Sequence, residues 1–386
     1  MDIKQIYDIV NTVTAEVLGK TDLVQEDLSN CVDVGNAIFD ANSVDRYCKA
    51  LVDHVGKVVF TARRYKGRAP FVLMDGWEYG AVLEKITCKG LPEAEENESW
   101  ELSDGASYDP NIFYKPDVAA KFYNKRTTFE IPISFTDRQV RSAFSTPTQL
   151  NAFLSMIEVN VANSLTVKND ELIMRTINGM TADTIYSEYQ GGDLTAKSGV
   201  RAVNLFYLFK QAHPDTTVTA ATCLDSVEFL SFAAKYIFAT KNHLAGMSEL
   251  FNIGGLPRFT PEDMLHVVMH ADFVNAANFT LKSNVFHDEY VKIPNHDTIG
   301  YWQGSGTSFA FADTSKINVK SPSGNIVTAS GILCVMFDRD ALGVTNFDPR
   351  VTSHYNPKAE FTSNWNKVDA GYFNDENENF VVFFVA

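Results

Sequence analysis

The sequence predicts an α+β protein, and three observations carry that prediction. A run of apolar residues at helical spacing extends over residues 147–178. Upstream of it, two β-type runs flank a long polar stretch at 89–118. Downstream, short apolar strands alternate with helical segments, and the chain closes on the apolar run 380–385. Strands interleaved with helices in this way build a mixed sheet covered by helices.

The helical run organises the rest. Leu150, Leu154, Ile157, Val161 and Leu165 recur every three or four residues, the period of one helix face. Phe153, Met156, Leu172, Ile173 and Ile177 widen that face. Ser145 or Thr146 can cap the start, Pro147 suits a first helical position, and Gly179 marks the expected stop. Such a helix is a rod of roughly 45–50 Å, a scaffold beam and not an active-site element.

Before it, residues 1–56 read as mainly helical, with Ile6, Ile9, Val10 and Val13 on one face and Val44, Tyr47, Leu51 and Val55 on another. Between them the acidic segment 22–40, with Gly35, predicts an arm crossing a surface. Residues 57–67 read as a strand that ends in the basic cluster Arg63, Arg64, Lys66 and Arg68. Four such charges either solvate a sheet edge and discourage strand pairing or meet a partner. Residues 79–88 alternate as a strand, and 121–135 return as a β-run with Phe122, Phe129, Ile131 and Ile133 as its apolar positions. The tip between them carries Glu93, Glu95, Glu96 and Glu98. A two-stranded excursion this long is not stable by itself, so it needs a neighbour to lie against.

After the beam, 178–193 is expected to be a polar crossing punctuated by Gly191 and Gly192. Residues 200–212 and 223–238 read as helices, 263–273 as a buried strand and 274–284 as a helix. The segments 298–313 and 323–344 add strands with glycine turns. The terminal strand is too apolar to lie outside a sheet.

Composition narrows the function classes. The chain has 386 residues, enough for more than one core. Its formal charge of −15 argues against a protein that wraps nucleic acid, which needs a clustered basic face. The 28 Phe raise the aromatic share to 12%, which serves a core first and large flat interfaces second. No apolar run of membrane-spanning length is present, and the first ten residues lack the pattern of a secretory signal. Cys31, Cys48, Cys88, Cys223 and Cys334 are scattered without a CxxC and read as reduced thiols of a cytoplasmic product.

No catalytic constellation emerges. His266 and His270 have the spacing of two zinc ligands on a helix, but the segment reads as a strand, where such positions lie about 13 Å apart. The glycine-rich 300–306 matches no phosphate loop, and Asp338, Arg339 and Asp340 read as a capped turn. No cofactor and no metal are expected.

The order of elements, with the segments TTFEIPISFTDRQVRSAFSTPTQLNAFLSMIEVNVANSL, GILCVMFDRDALGV, YNPKAEFTSNWNK and the closing VVFF, resembles the HK97-type major capsid fold of tailed bacteriophages. The likeness is greatest to the capsid proteins of small short-tailed phages of Gram-positive hosts. The resemblance implies an N-terminal arm over 1–56, a strand and long hairpin (the E-loop) over 57–135 and a P-domain spine helix over 136–190. It further implies an inserted α/β A-domain over 191–350 and P-domain closing strands over 351–386. It implies a subunit that self-assembles into pentamers and hexamers as an icosahedral head around packaged double-stranded DNA, assembled in the host cytoplasm. Its expected partners are further copies of itself, a separate scaffolding protein, a portal, and DNA held without sequence-specific binding; no membrane is involved. An encapsulin-like nanocompartment shares this fold and is the alternative, with a soluble enzyme further behind. In the capsid reading, residues 89–120 contact another copy through Trp100, Ile112, Phe113 and Tyr114, and the basic and acidic clusters meet between subunits. The competing placement puts the basic cluster on the inner face, against DNA.

Overall fold

Two helices, α1 (Ile3–Leu18) and α2 (Cys31–Asp40), begin the chain in the computed structural model. The structure describes residues 3–19, 24–26, 29–40, 50, 68–74, 83–88, 103–105, 107, 111, 113–115, 118–143, 145–284, 296–304, 308, 310–321 and 324–386. The helical face of α1 is as expected, with Ile9, Val10 and Val13 buried. Segment 31–40 is a helix where a crossing arm was expected. Val34 and Ile38, one turn apart, are buried, and burying that stripe outweighs the cost of Gly35 inside the helix. The expected face at Val44, Tyr47, Leu51 and Val55 and the strand at 57–67 lie outside the described residues.

The chain divides into two units, the first formed by 1–81, 125–173 and 344–372. Its sheet has the order β1-β11-β12-β4, from β1 (Leu73–Met74), β4 (Arg126–Thr136), β11 (Leu342–Asn356) and β12 (Phe361–Asn374). A short helix, α3 (Asp137–Ala143), succeeds β4. The β-run expected over 121–135 is in fact two strands, because Val118–Tyr123 pairs elsewhere. Ile131 and Phe135 of β4 are buried with Val368 of β12 and with α1 and α2.

Helix α4 (Pro147–Tyr189) is the beam. Thr146 caps it, its Oγ1 accepting the Gln149 N–H at 3.2 Å. Leu150, Leu154, Ile157, Val161 and Leu165 are all buried in the core of the first unit, whereas Met156 is exposed and does not belong to that face. The helix runs through Gly179 and ten residues beyond it, where a stop and then a polar crossing were expected. At 43 residues it is about 65 Å long. An interior glycine costs about 1 kcal/mol, and the buried side chains around it, Ile177, Met180, Ala182 and Ile185, outweigh that. The stop comes at Gln190 and Gly191, both at positive φ.

The second unit comprises 82–124, 174–343 and 373–386. Its main sheet has the order β5-β13-β10-β6-β7, built from β5 (Ala202–Asn204), β6 (Leu265–His270), β7 (His296–Ile299), β10 (Ile332–Asp338) and β13 (Phe380–Phe384). β10 runs antiparallel to both β13 and β6, and β5 and β7 run parallel to β13 and β6 at the edges. β10 and β13 are buried on both faces, which explains their unbroken apolar runs. The terminal strand therefore lies among strands of the 191–350 segment, not with the other closing strands, as the order of elements had implied.

Helices α5 (Leu205–Ala212), α6 (Val227–Leu244) and α7 (Ala271–Asn284) accompany this sheet. The helix expected over 200–212 starts only at Leu205, since Ala202–Asn204 is taken into the sheet and Asn204 then caps α5. Ser226 caps α6, after a 3-10 turn at Cys223–Asp225. Most of the phenylalanine surplus settles here: Phe209 meets Phe229 edge-on at 5.5 Å, and Phe337 stacks on Phe380 at 5.6 Å. The short helix α8 (Phe311–Thr314) and a hairpin of β8 (Ile317–Lys320) and β9 (Ile326–Ala329) complete the unit. Trp302, in the glycine-rich segment, is fully buried and donates from Nε1 to the Ile332 carbonyl at 2.9 Å.

Glu188 closes the turn after α4, its carboxylate accepting the backbone N–H groups of Val200, Arg201 and Ala202. Gly331 immediately precedes β10. It sits at φ 75°, its carbonyl accepts the Val385 N–H at 2.9 Å, and a Cβ there would collide with the Val385 carbonyl oxygen. Gly331→Ala is expected to cost about 1–3 kcal/mol, read as a lower urea midpoint; an unchanged midpoint contradicts this account.

Candidate assembly surfaces

Strands β2 (Leu83–Cys88) and β3 (Val118–Tyr123) form an antiparallel hairpin that pairs with no other strand among the described residues. The alternation of side chains gives it two unlike faces. One presents Ile86, Val118, Ala120 and Phe122 to solvent, with Ile86 at 68% and Phe122 at 64% exposure. Phe122, one of the apolar positions of the expected β-run, is exposed because β3 belongs to this hairpin and Phe122 is on its open side. The other face carries Lys85, Lys121 and Tyr123 toward the body of the second unit.

There the lysines meet a carboxylate cluster on the loop between β12 and β13. Asp375, whose side chain is 0% exposed, receives Lys85 Nζ at one oxygen and Lys121 Nζ at the other, each at 2.9 Å. Lys85 also reaches Glu378 at 2.8 Å and the Asp340 carbonyl at 3.2 Å. Arg258 stands 3.5 Å from Glu378. The loop is held by its own backbone, since Asp375 donates its N–H to the Ala341 carbonyl at 2.7 Å. Tyr123 adds a tilted ring contact with Phe373, centroids 5.1 Å apart.

These contacts set the protonation of the cluster. Burial would raise the Asp375 carboxyl, but the two ammonium partners outweigh it and hold the group below its usual range. Glu378 shares one lysine, has only a more distant guanidinium besides, and lies near Asp338, so burial prevails and its carboxyl is raised. Burial opposes the charge on Lys85, yet bonds to Glu378 and Asp375 leave it raised.

Of the residues singled out in the sequence, Phe113 and Tyr114 are 84% and 72% exposed. Arg68 is engaged within its own chain, donating its N–H and Nε to the two oxygens of Asp170 at 2.8 and 2.6 Å. Arg63, Arg64, Lys66, Glu93, Glu95, Glu96, Glu98, Trp100 and Ile112 lie outside the described residues. Sequence reasoning passed over Lys85, Lys121, Asp375 and Glu378. The available signal was a lysine on the same side of each of two alternating strands; the acids stand in a polar loop of ordinary turn composition.

Comparison with known proteins bears on this hairpin-bearing architecture. The family model of the Phi29-like phage major capsid protein matches residues 10–384. The chain belongs to that family. It is a capsid-forming protein and a component of the virion, with the α+β HK97-type fold. The structure is similar to the capsid structure of Staphylococcus phage Andhra, with a TM-score of 0.51 and 12% identity, covering 84% of this chain and 85% of that one. It is equally similar to a chain in the structure of the head fiber and inner core protein gp22 of bacteriophage P68, with a TM-score of 0.51 and 11% identity over 84% and 86%. At such identity these two show the fold alone. No curated protein sequence matches. Family membership favours the phage shell over the encapsulin-like alternative.

The other motifs of this Phi29-like capsid protein have structural roles. His266 and His270 lie on strand β6 as expected. His270 Nδ1 accepts the Asp272 N–H at 3.3 Å, and its ring meets Phe311 edge-on at 5.4 Å. Asp338 caps a turn, accepting the Asp340 N–H at 2.9 Å and the Thr260 hydroxyl at 2.7 Å. Among the described residues no three potential ligands gather as a metal site, and no helix is long and apolar enough to cross a membrane.

Burial, with the nearby Arg339 charge, lowers His266 to about 4 from an ordinary 6.5, and burial lowers His270 in the same direction. Between pH 6.5 and 4 the unfolded chain therefore binds more protons than the folded one, so stability falls as pH falls through that window. Discounted for the partial solvent exposure of the ring, the His266 contribution is on the order of 2 kcal/mol. His266→Gln should flatten the pH dependence of the urea midpoint between these values, and an equally steep profile in the variant contradicts the assignment.

Proposed function

We propose that copies of this chain close into rings of five and six, and that these rings form an icosahedral head around double-stranded DNA. The observation that carries this reading is the hairpin: anchored by buried charges on one face, it leaves an apolar face and the aromatic residues Phe113 and Tyr114 open. A two-stranded hairpin does not order such a surface alone, and a second copy of the chain supplies the missing cover. Aromatic residues suit the centre of such a contact, with Trp100 and Ile112 completing the anchor set. Heterologous contacts of this kind generate closed rings when the rotation closes.

In this reading, 1–56 is the arm, 57–135 the hairpin with its leading strand, 136–190 the spine and 191–350 the inserted domain, which lies at the ring axis. The closing segment 351–386 returns to the spine, except that β13 joins the sheet of the inserted domain. Scaffolding and portal are separate proteins, assembly takes place in the host cytoplasm, and DNA lies on the inner face without sequence-specific contacts. An acidic subunit suits that face, because tight attachment to phosphates would hinder packaging and ejection. The chain acts as a structural protein and not an enzyme, without metal or nucleotide.

Arg63, Arg64 and Lys66 are paired with Glu93, Glu95, Glu96 and Glu98 of a neighbour; Arg68 already holds Asp170. Exposed pairs contribute about 0–1 kcal/mol each, so their value is in steering and register.

Three experiments test this reading. Deleting residues 93–112 should leave a folded subunit that no longer closes shells by electron microscopy, and normal particles would refute the contact. Reversing Arg63, Arg64 and Lys66 should block assembly without DNA, and reversing the four glutamates as well should partly restore it; empty shells that package DNA poorly would instead place the basic cluster on the inner face. Assembly should persist in EDTA and in a His266→Ala/His270→Ala variant, and loss of shells in EDTA would contradict a metal-free mechanism.

A further inference from the structure

Lys85 and Lys121 are direct partners in the hairpin register. Two like charges opposite each other destabilise a strand pair, so by themselves these strands repel at their base. Asp375 lies between the two ammonium groups and gives each a separate oxygen at 2.9 Å. We propose that Asp375, supported by Glu378, is a latch: it permits the hairpin to pair at its base and at the same time fixes the angle at which the hairpin leaves its unit. The assembly consequence rests on the reading that the hairpin's open face contacts another copy.

Three features support a latch over ordinary packing. The hairpin shares no strand with any sheet among the described residues, so no ladder of backbone bonds fixes its angle. The polar contacts that reach it come from Asp375 and Glu378 on one loop, with Arg258 pairing Glu378 from behind, and from the Asp340 carbonyl on another. One lysine from each strand binds the same carboxylate, and two attachment points across a hairpin define its rotation where one would leave a swivel. Apolar packing can slide without loss; a buried carboxylate between two ammonium groups cannot, because any displacement leaves a buried charge without its partner. Tyr123, whose hydroxyl is pushed up by burial and by Asp375, stays neutral beside the cluster and adds a ring contact with Phe373.

The test uses full-length, unassembled subunits, so that no neighbour contributes. Amide hydrogen exchange is measured at 83–88 and 118–123, with 332–338 and 380–384 as internal reference. In Asp375→Asn, exchange in the hairpin should rise at least tenfold while β10 and β13 keep their protection, and the same variant should give fewer closed shells. Because Asp375 is buried, a neutral pair of changes, Lys85→Met with Glu378→Gln, serves as a second variant and should loosen the hairpin in the same way. Unchanged hairpin exchange in both variants overturns the latch, as does a loss of protection shared equally by β10 and β13, which would make the hairpin part of the core. A loosened hairpin with normal shells overturns the claim that the latched angle matters for assembly. The contact itself is judged by the tip deletion, so the two can fail separately.

Discussion

Burial along the whole of α4 is the constraint on which both units depend. Its residues up to 173 give the first unit Leu150, Leu154, Ile157, Val161 and Leu165, against which α1, α2, β4 and β12 are buried. Its residues from 174 give the second unit Met174, Ile177, Met180, Ala182 and Ile185, all buried. One helix thus feeds two cores. That need explains why the helix, buried along one face at first, is buried on nearly every side over 172–185, and why Gly179 does not end it.

Against this apolar framework the charged cluster at the hairpin base is a different kind of device. A buried ion pair is weak evidence for stability, because desolvation offsets much of the attraction. Its contribution is geometric: Asp375 is rigidly placed by its own loop, and Lys85 and Lys121 must come to it. The result is a hairpin whose inward face is specified and whose outward face is free. For a shell-forming protein this division is useful, since a repeated contact needs a reproducible angle more than it needs strength.

The exposed and buried aromatics divide along the same line. Phe209, Phe229, Phe337, Phe380, Phe383 and Phe384 build the second core, while Phe113, Tyr114 and Phe122 stay in solvent on or beyond the hairpin. A large aromatic residue in water is costly for a monomer and ordinary for a surface that other copies cover. In the proposed assembly the phenylalanine-rich composition serves both purposes.

The sequence alone determined the element types and their order, because period and run length are local properties. The beam, the helical start, the buried strand with its two histidines and the terminal strand were all legible from spacing. So was the resemblance to a capsid fold, since it rests on that order. Tertiary structure decided the rest. It carried α4 past Gly179, turned 31–40 into a helix, split 121–135 between two sheets and drew β13 in beside β10, each time because the burial available in three dimensions outweighed a local signal. It also brought Lys85 and Lys121 to the loop of Asp375 and Glu378 from far upstream in the chain. No spacing rule reaches that far, and charge complementarity between distant segments exists only once the backbone has placed them together.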